Sequence, residues 1–246
     1  MNFPFDIYLT TFLLISLNLV IVFGAKERYV TCGSVIKLLN TDHRVRLHSH
    51  DVKYGTGSGQ QSVTGIEIKE DVGSHWVVKA ANGKICPRGQ PIKCGSLIRL
   101  EHLESKRNLH SHIFSSPLSS QQEISCYGEN GEGDTGDHWK VICSGYEAES
   151  LFEKVSNFAQ GVLGTPKEQK VREGENWLRD DPVMLKHDDT SAYLATSGRT
   201  FGRPINGQVE VVGMSSSTGP VHWQAMEGVF LHNPDISASH HVHTEL

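Results

Sequence analysis

The chain has 246 residues and 14 histidines, and four of them stand in two copies of one tetrapeptide, Leu47-His48-Ser49-His50 and Leu109-His110-Ser111-His112. A spacing of i, i+2 on a strand puts both imidazoles of a pair on one face, where two nitrogens could share a zinc ion or a general base could be held by its neighbour. The simpler use of such a pair is hydrogen bonding to neighbouring loops. Cys or carboxylate partners at metal spacing are missing from the local sequence, so loop bonding is the expectation and no metal site is assigned. The acidic run Glu129, Glu132, Asp134, Asp137 lacks the twelve-residue calcium-loop pattern with its terminal Glu and reads as a solvated loop. Serine is plentiful, but no G-x-S-x-G elbow is present, and GTGSGQ at 55–60 lacks the GK[ST] ending of a phosphate loop. No catalytic constellation emerges, and the expectation is a non-enzyme without a cofactor.

The histidine pairs belong to a larger repeat. Cys32-Gly33-Ser34 and Cys94-Gly95-Ser96 open two units, and each unit sets a leucine nine residues before its Leu-His-Ser-His, at Leu38 and Leu100. Gln60-Gln61 and Gln121-Gln122 follow, and Trp76 and Trp139 come near the ends. A third, degenerate unit keeps Leu185 nine before Leu194, then Gly207-Gln208, VEVVGM and Trp223, with Ala195-Thr196-Ser197 where the others have histidines. Trp139 follows Trp76 by 63 residues and Trp223 follows Trp139 by 84, so the last interval holds an insertion.

Each unit consists of short Val/Ile/Leu-rich runs broken by Gly, Ser, Asn and Asp, which reads as several short strands. Strands this short must share their apolar faces to be stable, and closing three units on one another also removes exposed sheet edges. An all-β barrel of the β-trefoil type is therefore expected, with the repeated Leu and Trp as core layers; an open solenoid of three units is the alternative. In the inserted segment, Leu151, Phe152, Val155, Phe158, Ala159, Val162 and Leu163 fall on one face of a helix, ended by Gly164 and Pro166 and followed by a charged linker. That helix either packs on the barrel or offers its stripe to a partner.

The two ends read as addresses. Residues 7–23 are apolar and lead to Gly24 and Ala25, the pattern of a secretory signal peptide cleaved near 24–25. The chain ends His243-Thr244-Glu245-Leu246, a variant of the H-D-E-L retrieval signal with Thr in place of Asp, which predicts an endoplasmic reticulum retrieval receptor as partner. In that oxidising compartment the five cysteines are read as pairs first. Cys32 and Cys94 open units whose closing strands carry Cys86 and Cys143. If first and last strands lie side by side, the bridges are Cys32–Cys86 and Cys94–Cys143, and Cys126 remains a free thiol. No C-x-x-C motif is present, which removes thioredoxin-type chemistry. A net charge of −5 gives no field to gather phosphate backbones, so nucleic-acid binding is not expected.

Paired Leu-His-Ser-His motifs, Gln-Gln and a recurring Trp in three units resemble the MIR-domain proteins. The blocks VTCGSVIKLLNT, VRLHSHDVKYGTGSGQQSVTG, GRPINGQVEVVGM and WQAMEGVF resemble, more narrowly, the stromal cell-derived factor 2 family, over 30–143 and 177–232. The departures are the insertion, the Thr in the tail and Cys126. The resemblance implies a signal peptide (1–25), MIR repeats at 26–93, 94–143 and 177–233, an insertion at 144–176 and a tail at 234–246. It also implies an accessory role in lumenal protein quality control and the unfolded-protein response. The implied partners are a DnaJ-type co-chaperone, an Hsp70-type chaperone reached through it, and unfolded proteins. Apart from the resemblance, the residues themselves offer His48, His50, His110 and His112 as a candidate binding surface. MIR repeats also occur in calcium-release channels and in protein O-mannosyltransferases, whose membrane part, the carrier of the transferase chemistry, has no counterpart here. A glycan-binding module and an adaptor in O-mannosylation are the other readings. The first would need an aromatic platform beside Asp, Asn or Gln, which the sequence shows only in its core tryptophans.

Overall fold

A computed structural model describes residues 29–145 and 170–233. The segment expected to be a signal peptide, the stretch expected to form an amphipathic helix and the tail with His243, Thr244, Glu245 and Leu246 lie outside the described residues. Three four-stranded units follow one another: β1 (Val35–Asn40), β2 (Arg46–Lys53), β3 (Gln61–Ile66) and β4 (Trp76–Ala80); then β5 (Leu97–His102), β6 (Asn108–Ser115), β7 (Gln122–Tyr127) and β8 (Trp139–Gly145). After the two-residue β9 (Lys170–Val171) come β10 (Val183–His187), β11 (Tyr193–Thr200), β12 (Val209–Met214) and β13 (His222–Val229).

The first and last strands of the units pair in a ring, β1–β4–β5–β8–β10–β13 and back to β1, every pair antiparallel. This closed six-stranded barrel excludes the open solenoid. The middle strands form hairpins β2–β3, β6–β7 and β11–β12. Their second strands pair with one another, β3–β7, β7–β12 and β12–β3, and cap one end of the barrel. A six-stranded barrel closed by three hairpins is the β-trefoil topology.

The apolar repeat fills the barrel in threefold layers. Leu38, Leu100 and Leu185 form one layer and Leu47, Leu109 and Leu194 another, all fully buried. Trp76, Trp139 and Trp223 are fully buried too, and each indole Nε1–H donates to the carbonyl of the leucine before its unit's second-strand motif, Leu47, Leu109 and Leu194, at 2.9, 2.9 and 2.8 Å. The aromatic body supplies apolar burial while its one donor is satisfied, which is why the same residue recurs at the same place. Opposite the cap, Val30, Ile92 and Trp177 close a triangle of backbone bonds, Val30 N–H to Trp177 O, Trp177 N–H to Ile92 O and Ile92 N–H to Val30 O, at 2.8–2.9 Å.

Disulfides join Cys32 to Cys86 and Cys94 to Cys143, with Cα separations of 5.9 and 5.5 Å. Cys143 lies on β8, but Cys86 lies in the loop after β4 rather than on a closing strand. Loop 81–91 folds back on the segment before β1, with Gly89 N–H donating to Cys32 O and Cys32 N–H to Gln90 O, and that contact brings Cys86 to Cys32. Cys126 is a buried free thiol on β7. The charged linker expected after the inserted helix is partly a strand: β9 pairs with β8, Gly174 N–H donates to Cys94 O, and Cys94 N–H donates to Glu175 O. The unpaired edge of β8 offers backbone partners that outweigh the linker's polar composition.

Candidate functional site

Alternation along β2 and β6 turns Leu47 and Leu109 into the barrel and puts the histidines of each unit on the polar side. In unit one, His48 Nδ1 meets Asp71 Oδ2 at 2.7 Å, His48 Nε2 meets His50 Nδ1 at 2.9 Å, and His50 Nε2 meets Ser62 Oγ at 2.9 Å. This carboxylate–His–His–hydroxyl row resembles a proton relay, but Ser62 is 1% exposed and its Oγ–H also lies 2.8 Å from Val52 O. No substrate can reach that hydroxyl, so the row serves to tie β2, β3 and the turn before β4 together. Burial, reinforced by His48 and His102 nearby, pushes the His50 pKa down to about 4, and its ring is neutral at neutral pH. Asp71 is held below the ordinary carboxylate range: burial opposes its charge, and hydrogen bonds from Ser74 and His48 with the charge of Lys37 outweigh it.

In unit two the row opens into a pocket. His110 Nδ1 meets Asp137 Oδ1 at 2.9 Å and stands 3.7 Å from Asp134 Oδ1, and His110 Nε2 meets His112 Nδ1 at 3.3 Å. Burial, then the adjacent His110, lowers the His112 pKa. A pocket of about 470 Å³ between units two and three is lined by His110, His112, Asp134, His187, Asp189 and Thr190. Unit three has Ala195, Thr196 and Ser197 at these places and carries no such row. A symmetric three-histidine site is therefore not formed.

Asp71, His102, His187, Glu123 and Glu210 were not singled out by the sequence; Asp134 and Asp137 stood there only in a run read as a solvated loop, whereas Asp137 is fully buried, and Gln61 and Gln122 only as repeat markers. Asp71 and Asp134 each stand five residues before a core Trp, a spacing that the repeat could have revealed. His102 and His187, which end β5 and β10, donate through Nε2 to Gly73 O and Gly136 O at 2.9 and 2.8 Å, and burial lowers both pKa values. Gln61 and Gln122 sew each unit to the next: Gln61 Nε2 donates to Ser49 and Ser105 Oγ, and Gln122 Nε2 to Ser111 Oγ and Thr190 Oγ1, at 2.6–3.0 Å. Buried Glu123 takes hydrogen bonds from Ser58 in the β2–β3 loop, and buried Glu210 takes those of Leu118 and Ser119 N–H in the β6–β7 loop. Hydrogen bonds keep Glu210 ionised below the usual range against the opposing effect of burial.

The outer surface of β6 and β7 carries a row of rings absent from the other units: Tyr127 on His110 at 4.8 Å, His110 on His112 at 5.0 Å, and His112 on Phe114 at 4.6 Å. Tyr127 and Phe114 are about half-exposed and Ile113 is 91% exposed. A second pocket of about 620 Å³ lies against Tyr127, with Lys53, Gln60, Arg107, Glu129 and Glu132 around it. The aromatic platform that the sequence shows only in the core is thus also present on the surface, because pairing of β6 with β7 assembles residues 13 apart in the chain.

A MIR-domain family model matches residues 37–162. Stromal cell-derived factor 2 of Homo sapiens is 46% identical over 217 residues, covering 88% of this chain and 89% of that one. The chain belongs to the stromal cell-derived factor 2 family. The crystal structure of the SDF2-like protein from Arabidopsis thaliana is 39% identical, covers 84% of this chain and 99% of that one, and superposes with a TM-score of 0.71. A chain of the S. cerevisiae protein O-mannosyltransferase Pmt1-Pmt2 complex bound to the sugar donor aligns with a TM-score of 0.60 and 25% identity, over 87% of this chain and 27% of that one. The SDF2-like protein therefore shares the trefoil frame, and on that frame this chain carries a histidine row on each of its first two hairpins and the aromatic row on the second. Among the described residues, no helix is long and apolar enough to cross a membrane.

Proposed function

We propose that this protein is a non-enzymatic accessory subunit of a chaperone and quality-control complex in the endoplasmic reticulum lumen. It binds a DnaJ-type co-chaperone, through it an Hsp70-type chaperone, and unfolded clients. The observation that carries the reading is similarity to stromal cell-derived factor 2 over nearly the whole length of both chains. Two disulfides suit an oxidising compartment, and the signal segment and the His243-Thr244-Glu245-Leu246 tail suit retention there through the retrieval receptor. Residues that look chemically active are tied up as buried braces, which favours binding over catalysis. Ile113, Phe114 and Tyr127 supply exposed apolar area of the kind protein partners cover.

Affinity capture of the full chain from lumenal extract after mild crosslinking should recover a DnaJ-type protein, less of it from Ile113→Asp and Phe114→Asp variants. Repeated capture without any DnaJ-type protein would refute the assignment. One observation favours a second reading, a glycan-binding module or an adaptor in O-mannosylation: Tyr127 stands beside Gln60 and three carboxylates, Glu129, Glu132 and Asp134, at an open pocket, and the same fold occurs in an O-mannosyltransferase complex. A glycan array read with the wild type and with Tyr127→Ala separates it from the first.

A further inference from the structure

The three units provide an internal comparison at the position that faces the second-strand histidine. Counting back from Trp76, Trp139 and Trp223 by five and by two gives Asp71 and Ser74 in unit one, Asp134 and Asp137 in unit two, and Thr218 and Val221 in unit three. Unit one has one carboxylate: Ser74 Oγ donates to Asp71 Oδ2 at 2.6 Å, His48 meets the same oxygen, and Lys37 contributes positive charge. Unit two replaces that serine donor with a second carboxylate. Asp137 is fully buried, and neither it nor Asp134 has a Lys or Arg ion-pair partner among the described residues; His110 is the only ionisable partner of both. A buried carboxylate beside a second one is costly unless positive charge compensates both.

The structure also makes room for the extra carboxylate. A Cβ at Gly133 would lie 1.7 Å from Asp137 Oδ2, whereas the corresponding residue of unit one is Glu70. Asn108 is fully buried against the cluster, its Nδ2 3.2 Å from Asp137 Oδ2, and its Oδ1 has no hydrogen-bond partner among the described residues.

We propose that His110, Asp134 and Asp137 form a binding site for a divalent transition-metal ion, zinc in the first instance. Donor atoms bound to one tetrahedral zinc at about 2.0–2.2 Å stand about 3.3–3.6 Å apart. His110 Nδ1 lies 2.9 Å from Asp137 Oδ1 and 3.7 Å from Asp134 Oδ1, and one donor atom from each residue fits within 4.8 Å of the others, so side-chain shifts on the order of an ångström or less complete the geometry. An imidazole with two carboxylates suits zinc or manganese better than calcium, which prefers six or more oxygens. A metal on His110 Nδ1 would displace the proton that Nδ1 shares with Asp137 and leave Nε2–H to donate to His112 Nδ1, 3.3 Å away, and the adjoining pocket gives the ion access and room for a water ligand.

The test is calorimetric titration of zinc into the full chain carrying His240→Ala, His241→Ala and His243→Ala, which removes the histidine-rich tail as a competing site. One equivalent should bind, and Co2+ in its place should give visible absorption bands. Asp137→Ser reproduces the arrangement of unit one, so it is expected to fold, and Asp134→Asn alters a side chain that is half exposed. Both should weaken binding by about tenfold or more, the order of effect seen when a metal shell is damaged. Absence of zinc uptake at micromolar metal, or unchanged uptake in both variants, would overturn the proposal. If Asp137→Ser fails to fold by circular dichroism, Asp134→Asn alone decides it.

Discussion

At the scale of single residues, burial lowers the pKa of four histidines, His50, His102, His112 and His187, and this makes stability depend on pH. His50 titrates near 6.5 when unfolded and at about 4 when folded, so between those values the unfolded chain binds more protons and stability rises with pH. The contribution is fully present above pH 6.5 and is lost as pH falls toward 4. His102, His112 and His187 are lowered by burial as well and act with the same sign. Urea unfolding at several pH values from 7 to 4 should show a steady loss of stability, and His50→Asn, which cannot take up that proton, should show a shallower slope. An unchanged slope would mean that His50 is no more protonated in the unfolded chain than in the folded one. The Leu-His-Ser-His pairs were legible as paired imidazoles on one face. Their partners were not, because Asp71 and Asp137 come from turns 23 and 27 residues downstream and meet the histidines only when β4 and β8 return to the barrel.

At the scale of elements, the return of the chain after the insertion depends on one bridge. Cys94 is disulfide-bonded to Cys143 on β8, and its backbone exchanges hydrogen bonds with Gly174 and Glu175 just after β9. The double substitution Cys94→Ser, Cys143→Ser should cost about 2–5 kcal/mol, the usual loss for a native disulfide. It should also raise amide exchange at Arg172 and Gly174, whose N–H groups bond to the carbonyls of the two bridge residues. Breaking the Cys32–Cys86 bridge should leave those two amides protected, and hydrogen exchange read by mass spectrometry compares the two variants. Strand content was readable from the short Val/Ile/Leu runs, but β9 was not: KEQKVREGE has the composition of a linker, and only the open edge of β8 turns two of its residues into a strand.

At the scale of the whole molecule, each unit contributes two strands to a shared barrel and one hairpin to a shared cap, so no unit encloses a core of its own. A peptide of residues 94–143 should therefore lack a cooperative unfolding transition by circular dichroism, although it contains both cysteines of a bridge and a core Trp. The full chain should lose tryptophan fluorescence and far-ultraviolet circular dichroism at one denaturant midpoint, since its four tryptophans are buried in one continuous core. Separate midpoints, or a folded peptide, would show that the units are independent domains.

The threefold repeat, the core positions at Leu and Trp and the class of fold are all determined by the sequence, because burial depends on the period of apolar residues and that period is visible in one dimension. Closure of the ring through β1 and β13, the contact of Cys86 with Cys32 through a loop, the aromatic row on β6 and β7, and the meeting of His110 with Asp134 and Asp137 were decided only by the tertiary structure. Each joins residues distant in the chain, and their geometry exists only once the barrel has closed and fixed the distances between its strands.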